Sequence, residues 1–410
     1  MAIILGIFIV TLFVSLASFT QEDFKITELK NPDPSYPTTS IWYRGVVAAD
    51  IGDGDANHEM VCDFGDMGIW VYGTSTKWQQ IAPENPDWII GIQLTSGSYE
   101  IVADFGTDGL WIWDYPNTWI RISPDDAENG YAVDDDGDGI DELHADFGEI
   151  GIWRYDIALQ GWTLLTGWNP DVTQQSDSWT TGIGEICYDF GAGGLWINWW
   201  PPEYPTWRKL SPNNIGADNA AGDMGAGDIA DEIAFDFEDI GFWIYQYDST
   251  PNWHQITGDF VVDLIKAHVV TGTDYDLIVQ FNTIAGLWMW DYNGAWPGQW
   301  TRLSPDDPTW DEAFCEPFDP DGVMELTGEE EFAADFNTLG LWLYDHYAPI
   351  KWIKINEWSP QFMVRADLNG VGVDTCLVCD FGTEGLWYYD GQTGTWTKLS
   401  PDSPDRGFTF

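Results

Sequence analysis

Positive charge is scarce in this 410-residue chain: 15 Lys and Arg stand against 68 Asp and Glu, a formal net charge of -53. A field of that sign repels phosphate backbones and anionic lipid surfaces, which argues against nucleic acid as a partner. It is balanced by bound cations or by a saline medium that screens exposed charge. Cysteine is scarce too. Cys62, Cys187, Cys315, Cys376 and Cys379 are an odd number, against a full disulfide framework. Cys376 and Cys379 make a C-x-x-C without a second pair or a histidine at metal spacing, and read as small buried apolar residues. The five histidines form no H-E-x-x-H, and no G-x-S-x-G elbow occurs, so the common signatures of zinc proteases and serine hydrolases are missing.

Long apolar runs are confined to one place. Ala2 to Leu16 carries no charge and is followed by Ala17, so residues 1–17 read as a secretory signal cleaved after about Ala17. No Lys or Arg precedes the run, which leaves an uncleaved anchor as the alternative. The run is shorter than the ~20 apolar residues of a membrane span. The expectation is therefore a secreted or cell-surface protein with no membrane insertion after signal cleavage.

What the chain has in abundance is a repeat. A pattern of roughly the form D-F-G-x-x-G-[LIF]-W recurs eight times, with Phe64, Phe105, Phe147, Phe190, Phe237, Phe281, Phe336 and Phe381 spaced 41 to 55 residues apart. Its Trp is Trp70, Trp111, Trp153, Trp196, Trp243, Trp288, Trp342 and Trp387, and its Asp stands in seven copies, Gln280 being the exception. A second Trp opens W-x-x-[LI]-S-P or a decayed form of it: Trp78, Trp119, Trp162, Trp207, Trp253, Trp300, Trp352 and Trp396. That spacing suits a propeller blade and is too long for leucine-rich or ankyrin units. In Leu110-Trp111-Ile112-Trp113 both alternate faces are apolar, so both must be covered by neighbouring sheets. The reading is all-β: residues 40–410 form one β-propeller of about eight four-stranded antiparallel blades, with seven plus a remnant as the alternative.

Residues 18–39 are an N-terminal segment in which Phe24 to Leu29 resembles the last strand of a blade and could clasp the ring, or else is a linker. Ring closure would set the blades of Cys62 and Cys379 side by side, which raises the question of a disulfide. The repeated Asp either lines the channel or caps a hairpin by accepting backbone N–H groups, and the cap is the preferred reading.

The third repeat carries Asp134-Asp135-Asp136-Gly137-Asp138-Gly139-Ile140-Asp141-Glu142 between its first two strands. Oxygen ligands at alternating positions with a Gly at the bend are what Ca²⁺ requires, so Asp134, Asp136, Asp138, Asp141 and Glu142 are the candidate calcium ligands. No helix pattern flanks the loop, which excludes an EF-hand. Weaker versions hold Asp50, Asp53 and Asp55 in the first repeat and Asp367, Asn369 and Asp374 in the eighth. At these residues the chain resembles the FG-GAP/VCBS family of extracellular propeller repeats, whose D-x-[DN]-G-D-G-x-x-[DE] loop is echoed by Asp134 to Glu142 and more loosely by Asp367 to Asp374. The resemblance implies a calcium-stabilised propeller used for adhesion, recognition or surface assembly. The Trp-rich half of the repeat stands outside that family's pattern.

D-F-G also occurs in protein kinases, but the eightfold repetition and the missing Gly-rich loop and H-R-D loop dismiss that chemistry. The expectation is a non-catalytic binding or adhesion module for glycans or cell-surface polymer. Trp199, Trp200, Trp296 and Trp358, which fall outside the repeat, are the candidate ligand platforms. One alternative is a subunit that assembles with itself into an extracellular fibre or surface layer. A second is a glycan-active enzyme, since paired carboxylates need be neighbours only in space.

Overall fold

The computed structural model describes residues 46–404, apart from 52–57, 96–97, 117, 177–183, 200–205, 217–218, 226–230, 248–251, 271–273, 293, 295, 310–314, 321–329 and 371–373. They form eight four-stranded antiparallel sheets, spanning 46–82, 88–121, 129–166, 172–211, 219–257, 261–304, 315–356 and 362–400. In each sheet the strands lie side by side in chain order. The first strands of successive blades contact one another at six joints, Val133 and Ile152 of the third blade pack with Tyr188 and Trp207 of the fourth, and Val46–Ala49 contacts Phe362–Ala366, so the eight blades close into a propeller. Among the described residues the first and eighth blades each draw four strands from their own repeat. The segment expected to clasp the ring, and the signal, lie outside the described residues.

The burial gradient follows from this geometry. Second strands such as Glu142–Asp146 are buried throughout, whereas outer strands such as Lys77–Ala82 are largely exposed. Each apolar cluster draws on two neighbouring blades. Val46, Met60 and Cys62 of the first blade pack with Phe362, Val364, Cys376 and Val378 of the eighth, so the closing joint is as apolar as the others. Alternation along the strand then decides the cysteine question. Cys376 faces the first blade, while Cys379 turns to Phe318 and Ala333 of the seventh, away from Cys62. All five cysteines are free and buried, and the disulfide considered for Cys62 and Cys379 does not form.

The two sequence patterns are the halves of one joint. In seven blades the Phe is followed by a 3₁₀ turn closed by a glycine at positive φ, Gly68, Gly109, Gly151, Gly194, Gly241, Gly340 or Gly385. A Cβ on Gly109 would stand 2.2 Å from the Ser123 carbonyl oxygen, because the S-P corner of the outer strand lies directly on it. Register then slips between the next two residues, as between Ile152 and Trp153, and Leu165 of the outer strand becomes an unpaired bulge residue. Its freed carbonyl accepts the Trp207 indole N–H of the following blade at 3.3 Å. The same bond runs from Trp78 to Leu399, Trp119 to Ile81, Trp162 to Ile122, Trp352 to Leu303 and Trp396 to Ile355, at 2.9–3.1 Å. In these six blades the second Trp of the motif thus fastens its blade to the fourth residue of the preceding W-x-x-[LI].

Antiparallel strands put the loops on two faces. The hairpins joining first to second and third to outer strands form a loop face, which carries the acidic loops. The 3₁₀ turns and the S-P links between blades form the opposite turn face. On the loop face neighbouring hairpins are tied by backbone hydrogen bonds, among them Tyr99 N to Asp50 O, Asp141 N to Gln93 O, Gly184 N to Asp134 O and, across the closure, His58 N to Asp367 O.

Candidate functional site

The third-blade loop is a bend between Asn129–Val133 and Glu142–Asp146, with Gly137 and Gly139 at positive φ where the chain reverses. Asp134, Asp136 and Glu142 converge, one carboxylate oxygen of each lying within 4.8 Å of the others. Asp138 and Asp141 stand apart from that trio. Asp138 Oδ1 accepts Ile140 N at 2.9 Å, and Asp141 Oδ2 accepts Gln93 N of the second blade at 2.8 Å. Asp134 itself accepts the N–H groups of Gly137 and Gly139.

Sequence reasoning missed that this loop brings its own cation. Arg154, buried on the third strand, places its guanidinium 2.6 Å from Asp135 Oδ1, 3.1 Å from Asp136 Oδ2 and 3.2 Å from Glu142 Oε2. His144 Nε2 lies 2.8 Å from the other Asp135 oxygen. Burial alone would raise the Asp135 carboxyl, but the His144 and Arg154 contacts overcome it and hold the group down at about 2. Burial and the Asp135 charge push Glu142 up to about 9. Asp135, which falls between the alternating positions of the expected ligand series, is the anionic centre of the loop.

Glu142 also belongs to a pattern that the sequence holds in plain view. Four residues before the repeat Asp stands Glu59, Glu100, Glu142, Glu185, Glu232, Asp276 or Glu331, in seven of eight copies. Several accept backbone N–H groups of the adjoining loop: Ile51 N on Glu59, Asp135 N on Glu142, Met224 N on Glu232, Val270 N on Asp276. The repeat Asp does the same at the other end. Its Oδ1 accepts the N–H two residues on in six blades, as in Asp63 to Gly65 at 2.8 Å and Asp380 to Gly382 at 3.0 Å. Most second strands thus carry an acidic side chain at or near both ends, the exceptions being the sixth, which has Gln280 in place of the repeat Asp, and the eighth, which begins at Cys376. Burial raises Glu100, Asp189, Asp236 and Asp276 to about 7.

The weaker loops serve the joints between blades. In the eighth, Asp367 N donates to His58 Nδ1, Asn369 Nδ2 donates to Thr375 Oγ1, and Asp374 pairs with His58 at 3.4 Å and Arg365 at 3.5 Å. In the first, the Asp50 carbonyl accepts Tyr99 N, while Asp53 and Asp55 lie outside the described residues. Of the candidate platforms, Trp200 and the Trp199 side chain also lie outside them. One face of Trp296 is covered by the His254 ring, 4.0 Å away and parallel. Trp358 is 43% exposed on the turn face, steadied at its edge by Phe381 at 5.5 Å and Trp387 at 6.1 Å. Around it the same face carries exposed Met67, Ile150, Ile240 and Leu339 as the third residues of four 3₁₀ turns.

No family model matches the chain, and no curated protein does. Among solved structures it is similar to BBS1N, crystallised in complex with ARL6DN (10% identity, TM-score 0.45, covering 85% of this chain and 92% of that one). It is similar also to Saccharomyces cerevisiae Sqt1 (13%, 0.44, 71% and 81%) and to puromycin hydrolase (12%, 0.46, 90% and 55%).

Proposed function

We propose that this chain is a non-catalytic binding propeller that takes glycan or cell-surface polymer on its turn face, outside the cell. The observation that carries the reading is Trp358: a half-exposed indole held by two aromatic edges presents an apolar plate of the kind on which sugar rings stack. The absence of a catalytic role draws support from the repeated carboxylates, which are committed to backbone N–H groups at the ends of the strands. The extracellular setting rests on residues 1–17 and on the FG-GAP/VCBS resemblance of the third-repeat loop.

Calcium belongs to the same proposal. Asp134, Asp136 and Glu142 would hold it, and it would stiffen the hairpin; since Arg154 already serves Asp136 and Glu142, the ion has to compete with a guanidinium. The self-assembling alternative has an observation of its own in the apolar rim of Met67, Ile150, Ile240 and Leu339, which would suit face-to-face stacking.

The test is a glycan array probed with the full chain and with Trp358→Ala. Retention on a defined glycan class, weakened roughly tenfold by the substitution, supports the reading. Retention that the substitution leaves intact, or none at all, overturns it. Sedimentation velocity on the same samples reads the alternative, which requires concentration-dependent assembly.

A further inference from the structure

The second blade breaks the capping pattern. Asp104 is fully buried, and its Oδ2 accepts Ala127 N at 3.2 Å. Its Oδ1, the oxygen that in six other blades caps the 3₁₀ turn, has no hydrogen-bond partner. The Asp87 carboxylate stands over that turn, as Glu128 and Asp171 do in the third and fourth blades: a Cβ on Gly106 would meet Asp87 Oδ2 at 2.8 Å. Asp126, from the link to the third blade, completes the group, with one oxygen of each of the three within 4.8 Å of the others.

In the third, seventh and eighth blades the position of Asp126 carries a hydrogen-bond donor, while in the sixth, whose repeat residue is Gln280, it is Asp307, which accepts the Gly286 N–H. In the third blade Asn169 Nδ2 donates to Glu128, which stands where Asp87 does. In the seventh and eighth blades Ser359 and Ser403 donate to the repeat residues Asp335 and Asp380. The second blade has a third acid where those blades have an amide or a hydroxyl. No ion pair with Lys, Arg or His reaches the three acids among the described residues, in contrast to the Arg154 of the neighbouring loop.

We propose that Asp87, Asp104 and Asp126 form a calcium site on the turn face, where the links flanking the second blade meet. Three carboxylates with no donor between them repel unless a cation or protons intervene. Ca²⁺ holds oxygens at about 2.3–2.6 Å, so ligands on opposite sides of it stand about 5 Å apart, which the 4.8 Å limit of this cluster accommodates. Asp87 and Asp126 are exposed, which gives the ion a way in and leaves room for the waters that complete its shell. Without a cation the site is costly to charge: burial, then the Asp126 and Asp87 charges, push Asp104 up to about 8.

The site is independent of the third-blade loop, and the experiment keeps the two apart. Calorimetric titration with Ca²⁺, and luminescence titration with Tb³⁺ excited through tryptophan, are run on the chelator-treated full chain, on Asp126→Ser and on Asp136→Asn. Asp126→Ser installs the residue the seventh and eighth blades use, and should melt in EDTA no lower than the parent, since it removes a repelling charge. The expected result is a site that Asp126→Ser weakens at least tenfold and Asp136→Asn leaves in place. Unchanged isotherms for Asp126→Ser, a site lost only in Asp136→Asn, or no Ca²⁺ binding by the parent would each overturn the proposal. The second of these would establish the third-blade loop in its stead.

Discussion

Trp119 fills the space beside Phe105, with ring centroids 5.5 Å apart, and donates its indole N–H to the Ile81 carbonyl one blade back. Trp119→Phe keeps most of the apolar contact and removes the donor, leaving a bulge carbonyl without its partner. The expected cost is about 1 kcal/mol in denaturant unfolding, whereas Trp119→Ala, which also opens a cavity, should cost about 3–5 kcal/mol. Equal losses for the two variants would mean that the hydrogen bond contributes nothing. The regular placement of these tryptophans was legible in the sequence. Their acceptor was not, because it sits about 40 positions earlier, and only the register slip frees it. The cap role of the repeat Asp was legible from its chemistry. The Arg154 partnership was hidden, since an isolated basic residue on a strand carries no sign of which loop it reaches.

At the scale of the strand and its turn, the glycine before [LIF]-W is the least replaceable residue of the repeat. Gly151 has φ +92° and ψ -170°, a region open essentially to glycine alone, and a Cβ there would stand 2.1 Å from the Thr166 carbonyl oxygen. Gly151→Ala should therefore destabilise by at least about 3 kcal/mol, while Gly167→Ala, whose Cβ meets nothing within 4 Å, should cost far less. Melting curves of the two variants check this. The strands are legible from the repeat itself to within a residue or two: Glu142–Asp146 ends on the repeat Asp, and Ile152–Asp156 begins one residue before the repeat Trp. The sixth blade shows the limit of the pattern. One extra residue separates Phe281 from Trp288, no 3₁₀ turn forms between them among the described residues, and the Trp288 indole N–H is buried without a partner. Sequence spacing records that insertion, but not that it costs the blade a hydrogen bond.

For the whole molecule, acid is stabilising over the middle of the pH range. Asp104 is raised to about 8, and Glu100, Asp189, Asp236 and Asp276 to about 7, so each holds a proton in the folded chain at pH values where the unfolded chain has released it. A raised carboxyl contributes stability that is complete below its unfolded pKa near 4 and is lost as pH climbs through the folded value. Relief of the -53 net charge by protonation acts in the same direction. In chelator-containing buffer the melting temperature should rise as the pH is lowered from about 8 to about 5. A flat or opposite trend would show that these carboxyls are solvated and ordinary.

The joint between the eighth blade and the first uses the bond that joins every other documented pair, Trp78 to Leu399 repeating Trp119 to Ile81. The circle therefore has no chemically marked origin. A sequence rewritten to start at any inter-blade link would present the same set of joints, and a gene that duplicates or drops one whole repeat changes the circumference without leaving a frayed edge. Blade number, in such a lineage, is a quantity that can drift while the rule for joining blades is inherited intact.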